Sequence, residues 1–342
     1  MAFLNFEDRI KVLIRLGELF RRNDWLTVHE EVNQQNSWFI PQFIDMAIKS
    51  WRQALTGKKI QNWLKVYPEI RKPIEAKTIQ VIMAGNLPLV GLHDLISVFI
   101  SGHYLQAKLS SKDSLLIPWI IDSLSEEFPD LRNHMTFSTQ LFHHSQAIIA
   151  TGSNLTINTM VDKYSSIPGM FRGNRHSLAI LTGNENINSL DNLALDIKSY
   201  FGLGCRNVSY LFIPESSILN LIQERLSKTT LLSIHTGYRN SLNQQKAVFT
   251  LNNLPYINGD EMLLTESNQL GSAMGVLHYG IYKNLTEVKS FIQDHQDQIQ
   301  CLVGQIPDFE HIIPFGEAQF PELWDYADGK DTMLFLQNLG IS

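Results

Sequence analysis

The sequence predicts an α/β protein, with a helical N-terminal segment, a parallel-sheet domain and a second α/β domain. Three observations carry this. Apolar residues recur at helical spacing through positions 1–76. Beyond Pro73, short apolar runs alternate with amphipathic stretches, as strands and covering helices do in a parallel sheet. The alternation pauses at a loop rich in Gly, Arg and Asn, Gly169–Arg175, and then resumes.

Within the first segment, Phe6, Ile10, Leu13, Gly17 and Phe20 define one helix. Pro41, favoured in a first turn, opens a second with the stripe Ile44, Ile48, Trp51 and Leu55. Ile60–Tyr67 reads as a third, stopped by Pro68, and the Trp-bearing faces read as core. Across 77–175, Ile79–Ala84, Tyr104–Leu109 and Ala147–Ala150 read as strands. Between and after them lie helices at Gly91–Ile100 (closed by Gly102), at Ser114–Phe128 (Pro118 in its first turn) and from Asn154. Across 176–313 the strands are Ser177–Leu181 and Val208–Ile213, with helices at Ile187–Tyr200 and Ser216–Leu226. Residues 235–260 are too polar to assign. The tail, 314–342, is rich in Gly, Pro, Asp and aromatics and reads as ordered loop packed near a site.

A chain of 342 residues suits two or three domains. With 44% hydrophobic and 18% charged residues it has material for a large core, and wholesale disorder is not expected. A net charge of −6 gives no global field for nucleic acid or an anionic membrane, although local basic patches remain for a phosphorylated cofactor. Two cysteines, Cys205 and Cys301, exclude a disulfide framework and favour a reducing compartment. No run of about 18 apolar residues is present, so no membrane span is expected. Glu7, Asp8, Arg9, Lys11 and Arg15 interrupt what would be the apolar stretch of a secretory signal. The expected address is cytoplasmic, and the sequons at Asn154, Asn207 and Asn284 read as chance matches.

Cys205 lies in Phe201-Gly202-Leu203-Gly204-Cys205-Arg206-Asn207-Val208, between a predicted helix and a predicted strand. Two glycines permit tight turns close to a ligand, and Arg206 or backbone N–H dipoles would favour a thiolate. An inert buried cysteine is the competing reading. Cys301, in the strand-like Ile299–Val303, reads as structural. Ala84-Gly85-Asn86-Leu87-Pro88 closes the first strand, where α/β sheets gather ligand sites, and the Asn86 amide suits an oxyanion. Taken alone, the segment reads first as a plain turn. Lys108-Leu109-Ser110-Ser111-Lys112-Asp113 closes the second strand with groups for ribose or phosphate, or with a helix cap at Ser111 or Asp113. Thr151-Gly152-Ser153-Asn154 begins a helix, a phosphate-binding position or again a cap.

Other chemistries lack their signatures. There is no Gly-x-Gly-x-x-Gly or Walker loop, no Gly-x-Ser-x-Gly elbow and no carboxylate pair suited to glycoside hydrolysis. His143-His144 has no supporting cluster for a metal, because adjacent side chains diverge.

Taken together and in order, these turns resemble the aldehyde dehydrogenase superfamily. The closer resemblance is to the acyl-CoA reductase (fatty acyl reductase) family, the long-chain acyl reductases of bacterial luminescence. Ala84–Pro88 resembles the superfamily's Asn-containing oxyanion motif, and Gly91–Asp113 its following helix, strand and Lys/Ser ribose-contacting turn. Ile148–Ser153 resembles its Thr-Gly-Ser turn, and Gly202–Arg206 its nucleophile loop. Pro314-Phe315-Gly316-Glu317-Ala318-Gln319 and Tyr326–Met333 resemble the acyl reductases. The likeness spans roughly residues 40–340 with motifs in collinear order.

The resemblance implies an aldehyde dehydrogenase-like fold. A helical segment (1–76) packs on a Rossmann-type nucleotide-binding domain (77–175), followed by a catalytic domain (176–313) and a tail (314–342). It implies Cys205 as nucleophile, Asn86 as oxyanion donor with the Cys205 N–H, Lys108 and Ser110 toward the adenosine side of the cofactor, and Thr151, Gly152 and Ser153 near its pyrophosphate. Glu266 is a loosely fitting ribose ligand. The cofactor implied is NADPH, with NADH as the alternative. The donor implied is acyl-CoA or an acyl-carrier or acyl-protein thioester, and an oligomer is left open.

Two departures bear on the chemistry. Where oxidising members carry a general-base Glu, this chain reads Met170-Phe171-Arg172-Gly173-Asn174-Arg175-His176, without a carboxylate. Water is then poorly activated against an acyl-enzyme, which favours acyl transfer followed by reduction. The chain is also shorter than typical members. The competing functions are a cysteine acyltransferase without redox activity and a non-catalytic scaffold.

Overall fold

A computed structural model of the chain describes residues 4–22, 24–72, 75–228 and 231–340. The expected break at Pro73 lies outside the described residues. The chain forms two compact units, residues 1–174 with 320–342, and residues 175–319.

The first unit opens with helices α1 (Phe6–Leu19), α2 (His29–Gln35), α3 (Pro41–Ala54) and α4 (Gly57–Lys65). Asn5 caps α1, its side chain accepting the Asp8 N–H at 2.9 Å, and Thr56 caps α4 in the same way through Lys59. Gly17 lets α1 meet the chain after α3: a Cβ there would stand 2.1 Å from the Leu55 carbonyl oxygen. Trp63 is buried and the partly buried Trp51 packs against the same core, so the tryptophan faces are core.

The sheet of this unit contains β1 (Thr78–Ile82), β2 (Tyr104–Lys108), β3 (Met135–Ser138), β4 (Ala147–Thr151) and β5 (Gly169–Arg172). Its order is β3-β2-β1-β4-β5 and every pairing is parallel. Helices α5 (Leu92–Ser101), α6 (Leu116–Ser125) and α7 (Asn154–Lys163) cover it, and Gly102 ends α5 in the left-handed region at φ 89°. Two strands of this sheet differ from expectation. The stretch read as loop from Gly169 holds β5, and β3 has no counterpart in the sequence reading. Both are four-residue edge strands, too short for a period to show.

The second unit contains β6 (His176–Ile180), α8 (Ile187–Lys198), β7 (Val208–Ile213), α9 (Ile218–Ser227), α10 (Thr236–Leu251), β8 (Leu263–Glu266), β9 (Val276–Ile281), α11 (Leu285–Asp294) and β10 (Ile299–Gly304). Its sheet, ordered β10-β6-β7-β9-β8, is also parallel throughout. The polar stretch from 235 contains α10, whose buried residues are Tyr238 and Leu242.

The tail belongs to both units. Residues 314–319 stay with the second, while 320–342 join the first and end in α12 (Thr332–Gly340). There Tyr326 accepts from Trp63 Nε1 at 2.7 Å and meets the Tyr67 hydroxyl at 2.8 Å, and Lys59 pairs with Glu322 at 2.6 Å. Among the described residues no helix is long and apolar enough to cross a membrane, and no three His, Cys, Asp or Glu side chains group as metal ligands.

Candidate active site

Cys205 sits in a tight turn between α8 and β7. The Asn207 N–H donates to the Gly204 carbonyl at 3.1 Å, and the Gly204 N–H donates to Asn207 Oδ1 at 2.8 Å. The Gly204 carbonyl and the Cys205 N–H share a trans peptide and so point in opposite directions. With the carbonyl turned in to Asn207, the Cys205 N–H points away from Asn207. On its other side, the Cys205 carbonyl accepts from the Ser177 hydroxyl of β6 at 2.8 Å. Both peptide planes flanking the half-buried Cys205 are therefore fixed.

The approach to this turn is conformationally costly. Tyr200, Phe201 and Gly202 are left-handed in succession, at φ 52°, 58° and 72°. For the two non-glycine residues this costs on the order of 1 kcal/mol each. Burial holds them there, with Phe201 packed against His235 and Tyr238 at ring distances of 4.7 and 5.8 Å. Asn207 adds a clamp, donating to the carbonyls of Ser199 at 2.7 Å and Asp196 at 3.1 Å at the end of α8.

The tail motif meets the same loop. Arg206 Nε donates to the Ala318 carbonyl at 2.5 Å. The fully buried Asp196 accepts the Gly316 N–H at 2.6 Å and the Ala318 N–H at 3.1 Å. Gly316 takes φ 90°, which a side chain would resist. The stretch Pro314–Gln319 is thus joined to Gly202–Arg206 through the Arg206 guanidinium and to the preceding helix α8 through the Asp196 carboxylate.

Burial pushes the Asp196 carboxyl up to about 7, against the pull of the two N–H donors and Arg206. A folded-state value above the unfolded one favours the protonated fold. Its contribution is complete below the unfolded value of about 4 and is lost as pH rises to about 7. The stability of the wild type relative to Asp196→Asn should therefore fall between pH 4 and 7 by roughly 2–4 kcal/mol and then level off. Thermal unfolding of the two proteins across this range measures it; parallel curves would contradict the assignment.

In the first unit, Ile82 at the end of β1 aligns with Lys108 of β2 on one side and Ala150 of β4 on the other. The turns Ala84–Pro88, Lys108–Asp113 and Thr151–Asn154 therefore leave one edge of the sheet, the carboxyl edge where α/β folds bind ligands. The first two touch. A Cβ on Gly85 would stand 2.2 Å from Ser110 Oγ, so only glycine admits this approach. The buried Asp113 accepts the N–H of Leu89, itself left-handed at φ 60°, at 3.0 Å. Asn86 is exposed, and Lys108 and Ser110 are partly so. Ser153 caps α7 through the Thr156 N–H at 3.3 Å, beside Thr151 and Gly152.

Glu266 ends β8, two strands from β7 and level with Leu211, whereas Cys205 precedes the first residue of β7. The stretch 170–176 has no carboxylate in it, and its Arg172 is committed elsewhere, to Asp94 at 2.6 Å and Thr332 at 2.5 Å. Ser177, Asp196 and Asn207 are site residues that the sequence did not single out. Asn207, inside a sequon, is a buried turn-former two residues after Cys205, and an Asn at that distance from a Gly-Cys pair was the available signal.

No protein-family model matches the chain, and no curated protein does. Solved structures match it along most of its length. Aldehyde dehydrogenase 21 from Physcomitrella patens, in complex with the reaction product succinate, is 12% identical with a TM-score of 0.65 over 99% of this chain and 85% of its own. The aldehyde dehydrogenase KauB from Pseudomonas aeruginosa is 13% identical with a TM-score of 0.64, over 90% of this chain and 73% of its own. AldA, the indole-3-acetaldehyde dehydrogenase of P. syringae, in complex with NAD+ and IAA, is 13% identical with a TM-score of 0.63, over 90% of this chain and 74% of its own. At such identities the likeness establishes architecture, and with its two five-stranded parallel sheets the chain has an aldehyde dehydrogenase-like α/β fold.

Proposed function

We propose that the chain reduces an activated fatty acyl group to an aldehyde with NADPH, by way of an acyl-thioester on Cys205. The acyl group arrives on CoA or on a carrier or acyl protein. The observation that carries this reading is the Cys205 turn, where both flanking peptides are fixed in a fold whose solved relatives include an indole-3-acetaldehyde dehydrogenase complexed with NAD+.

The Cys205 thiolate attacks the acyl carbonyl, forming the C–S bond as the carrier thiolate departs with a proton from solvent. On this reading the Cys205 N–H and the Asn86 amide are the oxyanion donors. Lys108, Ser110, Thr151, Gly152 and Ser153 fit the nucleotide: their turns share one sheet edge, and Ser153 stands at the exposed N-terminus of α7. A nicotinamide cofactor held there supplies hydride. Glu266 is left out of the set, given its place on β8. On this reading 170–176, where the resemblance would place a general base, offers no carboxylate, so water is poorly activated against the acyl-enzyme.

The test is acyl-CoA-dependent consumption of NADPH, with NADPH or NADH binding followed by tryptophan fluorescence. Both signals are expected, and Asn86→Ala should slow turnover by about 100- to 1,000-fold. Acylation of Cys205 without cofactor binding would replace the proposal with a cysteine acyltransferase. Neither signal would leave a scaffold.

A further inference from the structure

Cys301 lies in β10, in register with Ser177 of β6. Its Sγ is 3.0 Å from Ser177 Oγ, and the same oxygen lies 2.8 Å from the Cys205 carbonyl. A serine hydroxyl has one proton and a carbonyl has none to give. The Ser177 proton is therefore spent on the Cys205 carbonyl, and the contact with Cys301 uses the thiol proton. The two cysteines are joined by a directed chain, thiol to hydroxyl to carbonyl. Ser177 is fully buried, so water does not substitute for either link. Were Cys301 to ionise, its thiolate would become an acceptor and compete for the Ser177 proton, and the Cys205 carbonyl would lose its anchor; without the thiol proton, nothing holds the Ser177 hydroxyl in its direction.

We infer that Ser177 and Cys301 are positioning residues for Cys205, with the Cys301 thiol fixing the direction of the Ser177 hydrogen bond that sets the Cys205 turn. This rests on Cys205 being the nucleophile. It assigns Cys301 a part that a purely structural strand residue lacks, while keeping it out of the chemistry.

The test follows alkylation of Cys205 by iodoacetamide, resolved by peptide mass, across pH in the full chain, alongside kcat and KM for acyl-CoA and NADPH. Ser177→Ala should lower kcat about tenfold at unchanged KM for NADPH, as expected for one lost hydrogen bond, and should shift the pH profile of Cys205 alkylation. Cys301→Ala should shift the profile in the same direction by less. Cys301→Ser, which keeps a donor, should restore the wild-type profile. Wild-type kcat and an unmoved profile in Ser177→Ala would overturn the inference. If Ser177→Ala fails to fold, Cys301→Ala decides: a shifted profile supports the chain of bonds and an unshifted one overturns it. The alkylation profile does not depend on reductase activity. A shifted profile in a protein that reduces nothing would count against the proposed reaction and still support the positioning chain.

Discussion

Replacing Cys205 with alanine is expected to abolish acyl-CoA-dependent NADPH consumption, by more than about 10,000-fold, the scale on which loss of a catalytic nucleophile acts. NADPH binding should survive, because the residues proposed to hold the nucleotide stand on turns of the other unit. Stability should change little. Cys205 is only partly buried, and the hydrogen bonds that define its turn run through its backbone, Asn207 and Ser177, none of which the substitution removes. Steady-state kinetics and cofactor titration separate these effects. Sustained turnover by Cys205→Ala would remove the nucleophile from the account.

The largest effect on stability is expected at Arg172. This last residue of β5 is 3% exposed and pairs with Asp94, 8% exposed, in the first turn of α5. It also meets Thr332, the first residue of α12, so one guanidinium fastens a strand, a covering helix and the returning tail. Arg172→Met leaves the Asp94 carboxylate buried and without its partner, which typically costs 3–5 kcal/mol. In a unit of about 200 residues this corresponds to a fall in Tm on the order of 10 °C. Adding Asp94→Leu should recover much of the loss, since a buried pair replaced whole by apolar groups is often neutral. Thermal unfolding of the single and double variants checks both statements. A single variant as stable as the wild type would mean that the pair does not organise the unit.

The elements that sequence pattern revealed are those whose pattern arises from burial on one face or both. Val208–Ile213 is a continuous apolar run because β7 is central in its sheet, and the helix from Pro41 announces itself by its first residue and its stripe. No element was read in 263–294, where β8, β9 and α11 lie, and the other elements that were missed lack such a pattern. β3 and β5 are four-residue edge strands, and the polar α10 buries little beyond Tyr238 and Leu242. The candidate site divides in the same way. Cys205, Asn86, Lys108 and Ser153 stand in turns marked by Gly, Asn, Pro and Ser, which local sequence displays. Ser177, Asp196 and the link from Arg206 to Ala318 act across 28 to 122 positions of chain, and no local pattern encodes them. The sequence also separated the two cysteines by context, a glycine turn against a strand, but not the serine that connects them.

If the proposed reaction holds, no carboxylate in 170–176 serves as a general base against the acyl-enzyme, and it should persist. With nothing there to activate water, the thioester should accumulate whenever acyl donor is present and cofactor is not. The most direct measurement is therefore incubation with acyl-CoA alone, rapid quenching, proteolysis and peptide mass mapping. The account predicts an acyl mass on the peptide containing Cys205, released by hydroxylamine and discharged as aldehyde when NADPH is added. An acyl group found on Cys301 instead, or NADPH consumption with no acyl group on Cys205, would contradict it.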